Sequence, residues 1–422
     1  MVNYKKSLWK MLDHCRSSVE VRDGLDVIAT IAAGASLAPD QFDKIKDMGA
    51  STLVPEIKKM VDGVLSHTFE PSISLSRLPD QIVVDIVYTL SELEDLKPLA
   101  SAIREELTEN VGKASGEFGS SRYTEALLPA LIGDVHDKSL LDAACGLARM
   151  TSLIETKHSF LQEYVASTAS LAQRLLIIEN KNAELSIGNS LLELNHPKQK
   201  YDLVVMEPPL GLRLDSEIRE QIATLPYVLD LNKALPTSAG DALWIQFALY
   251  HLESKGKAYL VLPQGCLFRG GYDAEVREYL LDNELVDKVV ALPSGSLNHT
   301  SIEPVLLILD KSKEKGSPIR FVDLRDIGNR NRTTVTLNAE DLKLARSLVN
   351  GSEDSPNARN VTVREIRQLE HDNSGNNLNV AHYLSAEEEL VLPSVEVQMM
   401  ALQQSKQQFE ETQEELFALL NQ

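Results

Sequence analysis

One stretch decides the fold: Tyr201-Asp202-Leu203-Val204-Val205-Met206-Glu207-Pro208-Pro209-Leu210-Gly211. Residues 201–206 form a mostly apolar run of strand length, which is typical of a strand buried on both faces of a sheet. An acid and two prolines follow it. Because proline donates no backbone hydrogen bond and fixes φ, the strand must end there and leave rigid carbonyl groups at its end. The sequence therefore predicts a buried strand with polar acceptors at its carboxyl end.

Further apolar runs of similar length lie before and after this one. They are residues 139–142, 159–162, 185–187, 258–262, 287–292 and 305–309. Helical patterns at 164–179, 241–252 and 272–281 lie between some of them. This alternation predicts an α/β fold with a mainly parallel sheet covered by helices on both faces. Such sheets bind ligands beyond the carboxyl ends of their strands, so we expect the functional residues there.

The pattern divides the chain into three regions. Residues 1–108 show helical periodicity alone and predict an all-α bundle, and residues 109–345 form the α/β region. Residues 346–422 are polar and broken, and they close with a Gln/Glu-rich amphipathic helix. Apolar residues recur there every seventh position, at Val395, Leu402, Phe409 and Leu416. This helix either packs on the body of the chain or docks onto a helix of a partner.

Composition excludes several classes of protein. No segment approaches the about 20 apolar residues that a membrane span needs. The three cysteines fit neither a disulfide framework nor a zinc motif, so we expect a cytoplasmic protein without a structural metal. The net charge of −20 opposes contact with DNA phosphates. A chain with this charge either does not bind DNA or depends on a partner for most of its affinity.

Two strand ends carry residues suited to a polar ligand. The first strand runs into Asp142-Ala143-Ala144-Cys145-Gly146, where glycine lets backbone amides approach a ligand closely. The second strand ends next to Glu163, an acid placed to accept hydrogen bonds from ribose hydroxyls. Considered alone, Glu163 is more simply a solvated loop acid.

In order and spacing, the motifs resemble the N6-adenine DNA methylase family, specifically the modification (methylase) subunits of type I restriction–modification systems. That family ends the strand matching 201–206 in Asn or Asp, two prolines and an aromatic residue. Its strand followed by Pro-Asn-Gly, a Leu-Phe pair and a glycine turn is similar to residues 262–271. Gly116-Glu117-Phe118 and Leu378-Asn379-Val380-Ala381-His382-Tyr383-Leu384 resemble two further family segments. The similarity extends from about residue 5 to 385.

The resemblance implies a Rossmann-like class I sheet that binds S-adenosylmethionine, with an N-terminal all-α bundle and a C-terminal helix. It implies DNA adenine-N6 methylation without a metal, in which the residue at 207 and a proline carbonyl accept hydrogen bonds from the amino group of a flipped adenine. The implied catalytic residues are Glu207, Pro208, Pro209 and Leu210. The implied cofactor residues are Asp142, Cys145, Gly146, Glu163, Asn189 and Phe118. A specificity subunit, which makes most of the DNA contacts, and a restriction subunit are the implied partners.

The sequence departs from the family pattern in both pockets. Glu207 replaces Asn or Asp, and Leu210 replaces the aromatic residue. Other departures are Leu147 and Ala148 for Ser and Gly, Ser120-Ser121 for Thr-Pro, and Asn189 for Asp. One hypothesis is an active methyltransferase subunit, and another is a methylase-like scaffold or DNA-holding subunit whose cofactor binding is weak or lost. A small-molecule or RNA methyltransferase is a third, which the similarity of the flanking regions disfavours.

Overall fold

A computed structural model describes most of the chain. The described residues are 3–16, 18–71, 73–108, 121–196, 200–238, 240–298, 300–332, 334–368, 376–384 and 395–420. The chain divides into two compact units, Met1–Leu384 and Ser385–Gln422. Within the described residues, no helix combines the length and the apolar character that crossing a bilayer requires.

The N-terminal region is helical, in agreement with the predicted all-α bundle. Its helices are α1 (Tyr4–Cys15), α2 (Val21–Leu37), α3 (Pro39–Ile45), α4 (Ala50–Val64), α5 (Asp80–Ser91) and α6 (Lys97–Glu106). Helix α2 is buried over most of its length because small and apolar residues occupy every face. It therefore forms the centre of this bundle.

A nine-stranded sheet forms the centre of the α/β region. Its strands are β1 (Val135–Asp142), β2 (Thr156–Glu163), β3 (Ala183–Ile187), β4 (Tyr201–Met206), β5 (Leu252–Pro263), β6 (Val286–Ala291), β7 (Pro304–Asp310), β8 (Ile319–Asp323) and β11 (Ala358–Val361). Their order is β11-β8-β6-β7-β5-β4-β1-β2-β3. Strands β1 to β5 pair in parallel, and β7 runs antiparallel between β5 and β6. Every strand predicted from an apolar run is present. Two further strands, β9 (Asn329–Asn331) and β10 (Thr334–Thr336), form a separate antiparallel pair.

Helices cover both faces of this sheet. They are α7 (Arg122–Ile132), α8 (Arg149–Leu153), α9 (Ala166–Ile178), α10 (Ser216–Ile222), α11 (Asp241–His251), α12 (Tyr272–Asp282), α13 (Ala339–Asn350), α14 (Val363–Gln368) and α15 (Ala381–Leu384). Leu171, Leu175 and Ile178 of α9 belong to the apolar core of the N-terminal bundle. The bundle therefore packs directly on the α/β region through α9.

Strands β8 and β11 do not appear among the predicted strands. The apolar run of β8 is interrupted by Arg320, which is buried in the sheet and donates hydrogen bonds to the carbonyls of Leu348 and Glu353. These two bonds satisfy Nε and Nη2, which helps the sheet to accommodate a buried arginine, whereas the buried Nη1 has no hydrogen-bond partner among the described residues. Strand β11 pairs antiparallel with β8, so the sheet continues beyond residue 345, the predicted end of the α/β region.

The chain after β11 also contributes to the core. Leu378, Val380 and Tyr383 are buried in the same cluster as β5 and α11. In the second unit, α16 (Val395–Leu420) is the predicted C-terminal helix, and its Leu402 and Phe409 are each 69% exposed. Docking of this helix onto a partner stays a prediction.

Candidate functional site

A cavity of about 480 Å³ lies at the carboxyl ends of the adjacent strands β4, β1 and β2. Cavities of this size commonly hold a small organic molecule. Most of the predicted site residues line it: Asp142, Cys145, Gly146, Glu163, Asn189, Glu207, Pro208, Pro209 and Leu210. Phe118 lies outside the described residues. The bend after β1 and the diproline corner after β4 therefore face one common cavity.

The turn after β1 contains two left-handed residues. Gly146 has φ of +52° and Ala148 has φ of +54°. Glycine adopts this conformation without cost, whereas a residue with a Cβ loses about 1–2 kcal/mol. The Ala148 amide donates to the carbonyl of Cys145 at 2.7 Å, which closes the turn. The second glycine of the family pattern is thus replaced at a position where alanine is strained.

Glu163 holds this turn in place. Its carboxylate accepts hydrogen bonds from the Gly146 amide at 2.9 Å and from the Val165 amide at 2.7 Å. It also lines the cavity, so it is more than a solvated loop acid. An acid that fixes the backbone at the cavity edge fits a role in binding a hydroxylated ligand.

Three carboxylates lie close enough to influence one another. Burial, the largest cause, and the negative charges of Glu207 and Glu163 together raise the pKa of Asp142 to about 8. Burial also raises the pKa of the Cys145 thiol well above its usual value, so this cysteine stays a protonated thiol. A buried acid with a raised pKa beside two further carboxylates favours a ligand that brings positive charge.

The corner after β4 borders an apolar wall. Residues of the following loop and of α10, α11 and β5 form it: Leu212, Leu214, Ile218, Ile222, Trp244 and Val261. Leu210, at the position of the family's aromatic residue, packs at the edge of a second apolar cluster. The polar acceptors at residues 207–209 therefore lie beside an apolar wall that offers no aromatic ring at position 210.

Two other departures from the family pattern have local structural roles. The side-chain oxygen of Asn189 accepts from the Leu191 amide at 3.2 Å and so caps the turn after β3. Ser121 caps the N-terminus of α7 and donates to the carbonyl of Ser296. Ser120 lies outside the described residues.

Gly265 lies in the segment after β5 that resembles the family's Pro-Asn-Gly motif, and a larger residue would not fit there. The Arg269 guanidinium donates to Asp273 at 2.6 Å and pairs with Asp241, so it ties α11 to α12. A Cβ at position 265 would collide with this guanidinium. Gly265 therefore leaves room for a partly buried ion-pair network after the end of β5.

Sequence reasoning missed part of the cavity wall. Leu107 and Thr108, which follow α6 of the N-terminal bundle, line the cavity, and so do Arg149 and Met150 of α8. Leu107 carries a helical pattern typical of any core residue, so nothing local marks it as a site residue. The bundle reaches the site only through its packing on the α/β region.

Comparisons with known proteins agree with this arrangement. A family model described as N-6 DNA Methylase matches residues 102–390. The MpnII type I restriction enzyme methylase subunit of Mycoplasma pneumoniae is 26% identical over 67% of this chain and 55% of its own length. The MjaVIII methylase subunit of Methanocaldococcus jannaschii is 29% identical over 65% of this chain and 50% of its own length. The chain thus spans about half the length of the curated relatives it matches.

Solved structures share the fold. The type I restriction-modification methyltransferase subunit of Streptococcus thermophilus superposes with a TM-score of 0.70 at 18% identity, over 90% of this chain and 98% of its own. A putative class I S-adenosylmethionine-dependent methyltransferase of Listeria monocytogenes gives 0.51 at 13% identity, over 82% and 98% of the two chains. The predicted Rossmann-like class I fold is confirmed, and fold and family together imply S-adenosylmethionine as the cofactor.

Proposed function

The chain belongs to the N-6 DNA methylase family, and on that premise we propose that it is a methylase-type subunit of a DNA modification complex. It binds S-adenosylmethionine in the cavity at the end of β1 and transfers the methyl group slowly to adenine N6. One observation supports this above all: the turn at Gly146 and the corner at Pro208 line a single cavity. A two-substrate transfer needs both ligands held next to each other in this way.

The residues present fit the cofactor. When bound, S-adenosylmethionine supplies a methyl group carried on a positively charged sulfur. The carboxylates of Glu163 and Glu207 provide negative charge at the cavity, and Asp142 adds a buried acid whose pKa of about 8 keeps it protonated near neutral pH. The left-handed Gly146 leaves open space beside the turn. Asp142 and Glu163 are therefore the groups that would hold the cofactor, together with the backbone of the turn.

The corner after β4 would hold the acceptor base. The Glu207 carboxylate and the Pro208 carbonyl would accept hydrogen bonds from the adenine amino group and hold its lone pair out of conjugation with the ring. The apolar wall that includes Leu212 and Trp244 would pack beside the base. The extra methylene of Glu207 displaces its acceptor by about 1 Å relative to Asn or Asp, which is enough to slow a transfer reaction by about 100-fold.

The net charge of the chain bears on its partners. At −20 the chain repels DNA phosphates on average. A specificity subunit that supplies most of the DNA affinity and reads the sequence accounts for this charge. A restriction subunit is a further partner in such an assembly.

We expect the complex purified with its natural partners to form N6-methyladenine slowly in duplex DNA. The measurement is transfer of tritium from labelled S-adenosylmethionine, followed by nucleoside mass spectrometry. The control is the Gly146→Val complex, in which a branched side chain would enter the cavity space; it should form none. If the unaltered complex also forms none over many hours, methyl transfer is not its function.

A non-catalytic scaffold or DNA-holding subunit is the alternative. It is favoured by the strained Ala148 in the turn and by the aliphatic Leu210 at the base position. It predicts that the complex assembles and binds DNA without S-adenosylmethionine. It also predicts no N6-methyladenine with all partners present.

A further inference from the structure

A buried arginine of the N-terminal bundle contacts the turn after β1. Arg104, in α6, is 2% exposed, and its Nε donates to the carbonyl of Leu147 at 2.9 Å. The two terminal nitrogens of the same guanidinium pair with Glu179, which directly follows α9; the Nη2–Oε2 distance is 2.9 Å. One side chain therefore joins three elements: α6, α9 and the turn that borders the cavity.

The backbone of this turn is strained and therefore depends on contacts that hold it in place. Leu147 lies between the left-handed residues Gly146 and Ala148, and the latter carries a Cβ that opposes the conformation. Strained backbone of this kind persists where its surroundings hold it. Arg104 supplies a charged donor to the carbonyl in the middle of the strained segment, and Glu179 fixes the direction of that donor.

A second contact links the same elements. The Thr108 hydroxyl donates to the Arg104 carbonyl at 2.8 Å and accepts from Arg149 Nη2 at 3.0 Å. Arg149 in turn pairs with Glu125 of α7. Thr108 and Arg149 both line the cavity. The end of the N-terminal bundle is thus bonded both to the turn and to the helix that begins after it.

We propose that Arg104 is a positioning residue through which the N-terminal bundle holds the turn at Gly146–Ala148 in its ligand-binding shape. This inference rests on the proposed function, because it assumes that the cavity binds S-adenosylmethionine. Arg104 does not line the cavity itself. It acts through the Leu147 carbonyl, so a shift of the bundle relative to α9 changes the affinity of the cavity.

The chain offers a matched control in Arg174. This arginine is 1% exposed, and its guanidinium donates to Ser170 at 2.6 Å within α9 and to the Phe69 carbonyl of the N-terminal bundle at 2.8 Å. Like Arg104, it joins the bundle to α9 from a buried position. Within the described residues, the hydrogen bonds of Arg174, unlike those of Arg104, do not reach the turn after β1.

The test compares Arg104→Lys with Arg174→Lys. A lysine ammonium cannot reproduce the planar set of donors of a guanidinium, so each variant loses a buried contact. Both variants should therefore melt at a lower temperature. Hydrogen–deuterium exchange of a peptide covering residues 143–150 measures the turn directly and needs no cofactor. We expect Arg104→Lys to raise the exchange rate in this peptide about tenfold, because losing one hydrogen bond to a charged group has an effect of about this size. Arg174→Lys should change the exchange rate less than about twofold.

The dissociation constant for S-adenosylmethionine is measured on the same proteins by calorimetry. Arg104→Lys should raise it about tenfold and Arg174→Lys less than about twofold. If Arg104→Lys does not fold, Glu179→Gln is the milder variant, since it keeps an acceptor but removes the ion pair; it should raise turn exchange in the same direction. Equal exchange in the 104 and 174 variants would overturn the inference. If the unaltered chain does not bind S-adenosylmethionine, the proposed function is wrong. The exchange comparison still tests the role of Arg104 in that case, because it needs no cofactor.

Discussion

Restoring the family residues at the diproline corner is expected to raise the rate of methyl transfer by about 100-fold. The change is Glu207→Asn combined with Leu210→Phe. Asn moves the hydrogen-bond acceptor back by about one methylene, and an aromatic ring adds stacking worth roughly 1–3 kcal/mol per base. The measurement is the single-turnover rate of tritium transfer to DNA by the purified complex, at saturating cofactor.

The matched control for this variant is Leu212→Phe. Leu212 lines the same cavity and lies two positions further along the loop, but not at the position of the family's aromatic residue. A phenylalanine there adds the same ring without restoring the base contact, so the rate should not increase. If the double variant binds cofactor normally but transfers no faster than the unaltered chain, Glu207 and Leu210 do not limit the reaction.

The second large effect concerns the buried acid at the end of β1. Asp142 has a pKa raised to about 8 by burial and by Glu207 and Glu163, whereas in an unfolded chain an aspartate titrates near 4. Between these values the folded protein retains a proton that the unfolded protein has lost. Stability therefore falls as pH rises from about 4 to 8 and levels off above the folded pKa.

Asp142→Asn removes this titration. The free energy of unfolding of the variant minus that of the unaltered chain should increase by about 1.4 kcal/mol per pH unit between pH 5.5 and 7, and by progressively less as the pH approaches 8. It should then become constant above about pH 8.5. The measurement is denaturant unfolding of both proteins, without cofactor, from pH 5.5 to 9.5. A difference that does not change over this range would show that Asp142 is not buried as a protonated acid.

Much of the fold can be predicted from the sequence because its strands are buried on both faces. Residues 203–206 of β4 and 305–309 of β7 are continuous apolar runs, which identify them as buried strands. Strand β8 cannot be found in this way, since Arg320 breaks its pattern and its partners are carbonyls of the distant residues 348 and 353. Strand β11 depends on pairing with β8 and has little apolar character of its own.

The residues of the site likewise divide into those that the sequence pattern predicts and those that it does not. Glu163 ends β2, and Gly146 and Pro208 lie within four residues of the ends of β1 and β4, so the topology alone brings them to one edge of the sheet. Arg104 and Thr108 belong to a helical bundle that meets the site through packing with α9. Their role depends on contacts between distant segments, which local residue patterns do not contain. The left-handed φ of Ala148 is likewise set by the turn as a whole.

Calorimetric titration of the purified chain with S-adenosylmethionine tests the central claim most directly, with Gly146→Val as the control. The cavity at the end of β1 predicts saturable binding at one site, with a dissociation constant between about 1 µM and 1 mM. The control should bind at least about 100-fold more weakly, because its branched side chain enters the open space beside the turn. No saturable heat from the unaltered chain at several millimolar cofactor would contradict a methylase that still binds its cofactor.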